Sequence, residues 1–137
     1  MSTFTYPKPG LGNVGSYQMS GVPFLTSSLE VPVSSSGPLV IDFPYVSRFV
    51  VITNTVPATS ASAPLRFGFS EAGVLGTVDN NYIVLDNGES FEAELRVSSV
   101  FLVSDGINPT SGSIAAGLTG VQAAYIENNW SGSAGVG

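Results

Sequence analysis

A chain of 137 residues predicts one domain that is large enough to bury a hydrophobic core. Its 4 basic and 10 acidic residues give a net charge of −6, which argues against a nucleic-acid surface, because such a surface needs clustered cations. The chain has no cysteine and no histidine, which excludes disulfides, Cys/His zinc sites, and Ser-His or Cys-His catalysis.

The surface is expected to carry few charges. Charged residues make up 10% of the chain, against ~25% in most soluble domains, and the mean hydropathy is +0.31. This balance is typical of subunits that pack against others; the alternative is a small secreted or engineered β domain with a Ser/Thr surface. No apolar run reaches the roughly 18 residues of a membrane span, and no polybasic stretch suits anionic lipid. We therefore expect no membrane association.

The first residues contain a glycine pattern that suggests a nucleotide site. Gly10–Gly15 reads GLGNVG, with the G-x-G-x-x-G spacing of a dinucleotide-binding turn. That turn needs a strand before it and a helix after it, whereas two prolines precede it and Gly21 and Pro23 follow it closely. The sequence instead predicts that residues 1–20 form an extended arm without a core of its own.

From residue 21 onward, short apolar and β-branched runs alternate with turn residues. Prolines in the first two runs predict edge strands, and the almost continuous apolar run Val46–Thr53 predicts a central strand. The predicted strands are, in chain order, Val22–Leu25, Leu29–Val33, Leu39–Phe43, Val46–Thr53, Leu65–Ser70, Asn81–Leu85, Ser90–Arg96, Val100–Ser104, Ser113–Leu118 and Val121–Ile126.

Turn residues and alternation refine these predictions. The sequence Asp86-Asn87-Gly88 predicts a hairpin turn between its two flanking strands, and Thr119-Gly120 predicts a junction between the last two strands. Three strands alternate, and their inward-facing residues are predicted to be Leu39, Ile41 and Phe43; Leu65, Phe67 and Phe69; and Phe91, Ala93 and Leu95.

Eight to ten short strands without a convincing helix predict an all-β fold. We expect a single antiparallel β-sandwich of jelly-roll or immunoglobulin-like topology, and the sequence does not choose between the two. The sandwich is assigned to residues 21–127, between the N-terminal arm 1–20 and a C-terminal tail 128–137.

Acidic and amide residues form two groups that could carry chemistry. Glu92 and Glu94 are predicted to share one strand face, as paired carboxylates do in glycoside hydrolysis, but a solvated face with Arg96 beside it is the commoner arrangement. Asp79-Asn80-Asn81 and Asp86-Asn87 offer oxygen ligands for calcium, yet these are ordinary turn residues. We predict no catalytic residues, no metal site, no cofactor and no enzymatic activity.

Aromatic residues near the two chain ends are the predicted contact residues. Tyr125, Asn128, Asn129 and Trp130 cluster in sequence and suggest either a sugar site or an anchor for the tail. Anchoring is favoured, because glycine and serine flank Trp130 and would otherwise leave the tail loose. The predicted interface residues, chosen because aromatic side chains dominate interface energies, are Phe4, Tyr6, Tyr17 and Trp130.

Four segments together resemble small decoration or minor capsid proteins of tailed phages, of the marine and cyanobacterial type. The segments are GNVGSYQMSGVPF, FPYVSRFVVI, LRFGFS and NWSGSAGVG. The resemblance implies a non-enzymatic protein of the virion capsid that decorates or cements the lattice, with the major capsid protein or other virion proteins as partners. It implies no catalytic residues.

Two alternatives from other classes are a carbohydrate-binding module and a self-assembling fibre or surface-layer subunit. We expect the protein to be a homo-oligomer, with a trimer ranked first because capsids contain three-fold positions. The strands Val22–Leu25 and Leu29–Val33 are predicted to form the contact face, since unpaired strand edges readily pair with another chain.

Overall fold

The structure, a computed structural model, describes residues 21–77 and 80–125, apart from the side chain of Tyr125. Within these residues the fold is an antiparallel β-sandwich of eight strands with one short helix and two 3-10 turns. The strands are β1 (Val22–Val31), β2 (Leu39–Asp42), β3 (Tyr45–Asn54), β4 (Leu65–Gly68), β5 (Ile83–Leu85), β6 (Ser90–Ala93), β7 (Ser99–Ser104) and β8 (Thr110–Gln122), and the helix is α1 (Glu71–Leu75).

The strand order identifies the sandwich as a jelly roll. One sheet has the order β1-β8-β3-β6 and the other β2-β7-β4-β5. The first strand thus pairs with the last, the second with the seventh, the third with the sixth and the fourth with the fifth, all antiparallel. This nested pairing is that of one long hairpin folded over into two sheets. The all-β sandwich is confirmed, and of the two topologies left open the jelly roll is the one found.

The core lies between the two sheets and follows the predicted alternation. Leu65 and Phe67 on β4 are buried, as is Ile52 on β3. The Phe67 ring lies 4.9 Å from the ring of Phe91 on β6, so an aromatic contact joins the two sheets. Residues 91–96 alternate between half-buried and exposed, with Phe91, Ala93 and Leu95 facing inward as predicted. The prediction that β3 is a central strand is also confirmed, since it lies between β8 and β6.

The first two predicted strands are wrong as separate strands. They form the single edge strand β1, which runs past Ser28 with a bulge between Thr26 and Leu29. Ser28 has a φ of 55°, in the left-handed region. A bulge accommodates one extra residue without ending the pairing. The polar residues at this bulge therefore resemble a loop in the sequence, although they lie within one strand.

The predicted break at Thr119-Gly120 is also wrong, because both residues lie inside β8. The Thr119 hydroxyl donates a hydrogen bond to the carbonyl of Val46, 2.7 Å away on β3. β1 and β3 pair with most of this strand, and at Thr119-Gly120 the register with β3 shifts, so these residues form an irregularity within the strand rather than a turn between two strands. Tertiary pairing thus overrides a dipeptide that favours a turn. Residue 126, at the end of the last predicted strand, lies outside the described residues.

The predicted hairpin around Asp86-Asn87-Gly88 is wrong as well. The turn exists, with Gly88 at a φ of 79°, but β5 pairs with β4 in one sheet and β6 pairs with β3 in the other. The turn therefore carries the chain across the sandwich. Its backbone is tied to β3 instead, since the Gly88 N–H donates to Asn54 O and the Asn54 N–H donates to Glu89 O.

Helix α1, which the sequence analysis did not predict, covers the outer face of the second sheet. It begins after Ser70, whose hydroxyl accepts a hydrogen bond from the Gly73 N–H at 3.0 Å, and it ends at Gly76, whose φ is 70°. The helix packs against β4 and β7, and Val74 and Val103 are fully buried. No helix among residues 21–77 and 80–125 has the length and apolarity to cross a membrane.

Asn54 ties three segments together at one end of the sandwich. It is fully buried, and its Nδ2 donates to Ala63 O at 2.9 Å and to Leu85 O at 3.0 Å. Its Oδ1 accepts a hydrogen bond from the Val56 N–H at 3.0 Å. This side chain therefore joins β3, the loop 55–64 and the end of β5.

Replacing Asn54 by alanine should lower the free energy of unfolding by about 2–3 kcal/mol, because buried backbone groups lose their partners. Urea unfolding followed by circular dichroism measures the change. Thr55→Ala is the control, since the Thr55 hydroxyl contacts Ser111 Oγ in an exposed position, and it should change the free energy by less than about 0.5 kcal/mol. Equal losses in both variants would contradict the role assigned to Asn54.

Candidate interaction surface

The outer face of the first sheet carries an apolar patch. Leu25 on β1, Ala115 on β8 and Val51 on β3 lie side by side in one row of the sheet. Pro23, Gly117 and Phe49 form the neighbouring row. The residues between these rows, Phe24, Ala116 and Val50, belong to the core or pack against it. Since side chains alternate along a strand, the two rows point away from the core, and we call them the outer patch.

The outer patch is grooved rather than flat. Leu25 is 77% exposed and forms a ridge, whereas Ala115 and Gly117 present little side chain beside it. A hollow of about 240 Å³ lies on one side, against Phe49 and Gly21. A second hollow of about 370 Å³ lies on the other, against Ser27 and Ser113. Neither hollow is lined by a charged residue.

Charges on this face lie at its margins, with Glu30 exposed near the end of β1 and the others towards β6. Glu92 is exposed on β6, and the Arg48 guanidinium lies 3.7 Å from the Glu94 carboxylate. The predicted placement of Glu92 and Glu94 outside the core is found. Both carboxylates are in water, and the pair with Arg48 is too exposed to contribute much to stability. Nothing in this arrangement encloses a substrate.

The strand sequences explain why the outer patch is apolar. An antiparallel strand with one face in water shows a clean alternation of apolar and polar residues, and β6 shows it. The segment Phe49–Ile52 of β3 and the segment Ile114–Leu118 of β8 do not alternate. The continuous run in β3 predicted a central strand. In both strands the same continuity also indicates an apolar outer face, which was not predicted.

Among the residues considered as calcium ligands, Asn87 stabilises the structure instead. The Asn87 amide holds the loop 55–64: its Oδ1 accepts from the Ala63 N–H at 3.0 Å, and its Nδ2 donates to Ala61 O at 3.0 Å. Asp79 lies outside the described residues. Among those that are described, no group of three or more His, Cys, Asp or Glu side chains is placed to hold a metal ion.

A separate aromatic cleft opens between the two sheets, at their edge strands β5 and β6. It has a volume of about 320 Å³ and is lined mainly by Phe67, Phe69, Tyr82, Ile83 and Phe91, together with Asn80 and Asn81. The guanidinium of Arg66 lies 4.1 Å from the centre of the Tyr82 ring, a cation–π contact that holds one wall. A cleft of this kind suits a small apolar or planar group.

The structure describes none of the predicted interface residues. Phe4, Tyr6, Tyr17 and Trp130 lie outside the described residues, as do Asn128 and Asn129. Their assignment stays a prediction. The contact face was predicted to consist of the strands Val22–Leu25 and Leu29–Val33, which together form β1. The outer patch includes that strand, but its apolar side chains extend across β8 to β3.

Comparison of the chain with models of protein families, with curated proteins and with solved structures found no match.

The loop 105–109 presents one more apolar side chain, Ile107, which is 93% exposed. The loop is held by Arg66, whose Nε donates to Asp105 Oδ1 at 3.0 Å and whose Nη1 donates to Val74 O at 3.2 Å. The side chains of Arg66 and Asp105 are 15% and 29% exposed, so water screens this pair less than the pair of Arg48 and Glu94.

A double-mutant cycle with Arg66→Gln and Asp105→Asn should give a coupling energy of about 1–2 kcal/mol, because the partly buried guanidinium makes two directed bonds. The matched cycle with Arg48→Gln and Glu94→Gln should give less than about 0.5 kcal/mol. Urea unfolding of the unmodified protein and the six variants measures both. Comparable coupling in the two cycles would show that the Asp105 contact does not hold the loop.

Proposed function

We propose that this protein is a non-enzymatic structural protein of a virion, which binds a capsid lattice and its own copies and so decorates or cements the shell. The observation that carries the proposal is the outer patch. Exposed apolar patches on a protein surface mark contact sites. In this patch Pro23 and Leu25 are exposed, and the segments Phe49–Ile52 of β3 and Ile114–Leu118 of β8 are apolar on both faces. The low charge content of the whole chain supports the same conclusion.

The outer faces of the two sheets differ in whether a helix covers them, and this difference supports the proposal. Helix α1 covers the outer face of β4 and β7 and buries Val103. Over β1, β8 and β3, no helix or strand of the described chain plays that part. Because the described residues leave this apolar face uncovered, we infer that another chain covers it.

Attachment by such a patch suits a repetitive partner. A single small patch gives modest affinity, because association costs translational and rotational freedom. On a lattice, each copy that binds its neighbours as well as the shell gains effective concentration, and modest contacts become stable attachment. Partners would be the major capsid protein or other virion proteins, and the site of action the capsid.

Fold and resemblance give further support of a weaker kind. Jelly rolls occur in viral capsid domains, but also in lectins and cupins, so the fold by itself does not assign a function. The likeness of four segments to phage decoration proteins favours the capsid among these.

Carbohydrate binding is the second candidate, and the aromatic cleft favours it. Phe69, Tyr82 and Phe91 are half-buried there, and Asn80 supplies an amide. A carbohydrate-binding module would bind on a glycan array and lose that binding with Tyr82→Ala. A fibre or surface-layer subunit, by contrast, would form polymers without any capsid.

The proposal is tested on particles banded in a density gradient from a lysate of the source. Antibodies against the purified protein should label the particles at regular positions in electron micrographs, and quantitative mass spectrometry should find the chain in a fixed ratio to the major shell protein. A chain that stays in the soluble fraction, with unlabelled particles, would refute the capsid assignment.

Self-association is expected for the purified protein, as a trimer of 14.1-kDa chains in sedimentation velocity at micromolar concentration. Leu25→Glu should weaken it at least about tenfold, because burying a charge among apolar groups is costly. Val40→Glu is the matched control, since Val40 is an exposed valine on the second sheet. A monomer in the unmodified protein, or an equal effect of the two substitutions, would exclude self-association through the outer patch.

A further inference from the structure

We propose that the outer patch is the docking site for residues 1–20 of a neighbouring copy of this chain. The inference rests on the proposed function in that both assign contact to the outer patch, and it goes further by naming the occupant. Four features of the molecule carry it: the shape of the patch, the protection of the adjacent strand edge, the direction of the chain at Gly21, and the distribution of charge.

The shape of the patch suits single side chains on an extended segment. The hollows on either side of Leu25, of about 240 and 370 Å³, lie below or near the lower end of the range for small-molecule sites. The segment 1–20 has three aromatic residues, Phe4, Tyr6 and Tyr17, among small and polar ones. Aromatic side chains bury a large area at a low entropic cost, so such a segment can fill hollows of this size.

The free edge of β1 is a poor alternative for that segment. Pro23 has no N–H to donate to an added strand, and the bulge at Ser28 interrupts the straight run of backbone groups. Both features are known ways of protecting an edge strand from pairing. The face of the sheet, with Leu25 as its ridge, is therefore the better site than the edge.

The direction of the chain points to a neighbouring copy rather than to the same one. The Gly21 N–H donates to Leu118 O at 2.9 Å, so the pairing of β1 with β8 continues through Gly21. A segment that continued the direction of β1 would lead beyond the end of the sheet, so docking on its own outer face would require the chain to reverse next to Gly21. Twenty residues reach about 70 Å at most, which is ample for contact with the next molecule.

The distribution of charge also favours docking of residues 1–20 on a neighbouring copy. Residues 1–20 contain Lys8 and no acidic residue, whereas residues 21–137 hold three arginines and all ten acidic residues, a net charge of −7. Two such bodies repel each other, and an uncharged or positive segment between them reduces that repulsion. The outer patch adds no charge of its own in either hollow.

The chain has no cysteine, so introduced cysteines can report the contact in the full-length protein. Ser16→Cys places a thiol beside Tyr17, and Ala115→Cys places one between the two hollows. The two variants are mixed, one of them labelled with ¹⁵N, and oxidised mildly. Intact mass then separates mixed dimers from dimers of either variant. Val40→Cys, on the second sheet, replaces Ala115→Cys in the control mixture.

The mixed Ser16–Ala115 dimer should form about tenfold more than the Ser16–Val40 dimer, because docking raises the local concentration of the thiols. A synthetic peptide of residues 1–20 should suppress it, and the same peptide with serine at positions 4, 6 and 17 should not. Thermal unfolding of each variant verifies the fold, and Ser113→Cys in the second hollow replaces Ala115→Cys if that variant fails to fold.

Three results would overturn the proposal. Predominant Ala115–Ala115 dimers would mean that two outer patches meet face to face. In a chain that carries both Ser16→Cys and Ala115→Cys, a disulfide within that chain would mean that the segment docks on its own sheet. Equal yields with Val40→Cys would mean no docking. These failures are distinct from failure of the proposed function. If antibodies label the particles but the Ser16–Ala115 dimer does not form, only the docking of residues 1–20 is rejected. If the dimer forms but the particles are not labelled, only the capsid assignment is rejected.

Discussion

The pairing of β8 with both β1 and β3 is the constraint on which the rest of this structure depends. This thirteen-residue strand occupies an inner position of its sheet and pairs along most of its length. Its inward residues Ile114, Ala116 and Leu118 are buried in the core. Because the last strand lies between the first and the third, the sheet closes only when the whole chain is in place. Such non-local pairing has a high contact order and predicts slow folding.

Sequence patterns predicted the sandwich and most of its inward residues because burial on one side imposes a period of two. The residues 91–96 show this most clearly. Patterns failed where neighbours in space, rather than neighbours in sequence, determine the outcome. Gly88 adopts a positive φ, as a turn of this sequence requires. Whether the two flanking strands lie in the same sheet depends instead on their pairing with β3 and β4. Thr119 and Gly120 stay in a strand because β3 accepts the Thr119 hydroxyl.

The candidate surface was predicted only in part, for a related reason. Low charge predicted that other chains cover some of the surface, and the predicted contact face shares β1 with the outer patch. Phe49 and Val51 were assigned to a central strand without asking what covers their outer side. A continuous apolar run indicates that both faces of a strand are apolar. It does not indicate whether a helix covers the outer face, as α1 covers Val103, or another molecule does.

The registers of the strand pairs give the sandwich two unlike ends. Val22 lies opposite Leu118, and Tyr45 lies opposite Gln122, so the chain enters and leaves the described domain at one pole. The loops 55–64 and 105–109 and the turn at Gly88 gather at the opposite pole, where Val31 meets Thr110 and Thr53 meets Ser90. A peptide inserted beside Ile107 would therefore project away from the pole where both chain ends depart, which makes that loop the natural place for a displayed epitope.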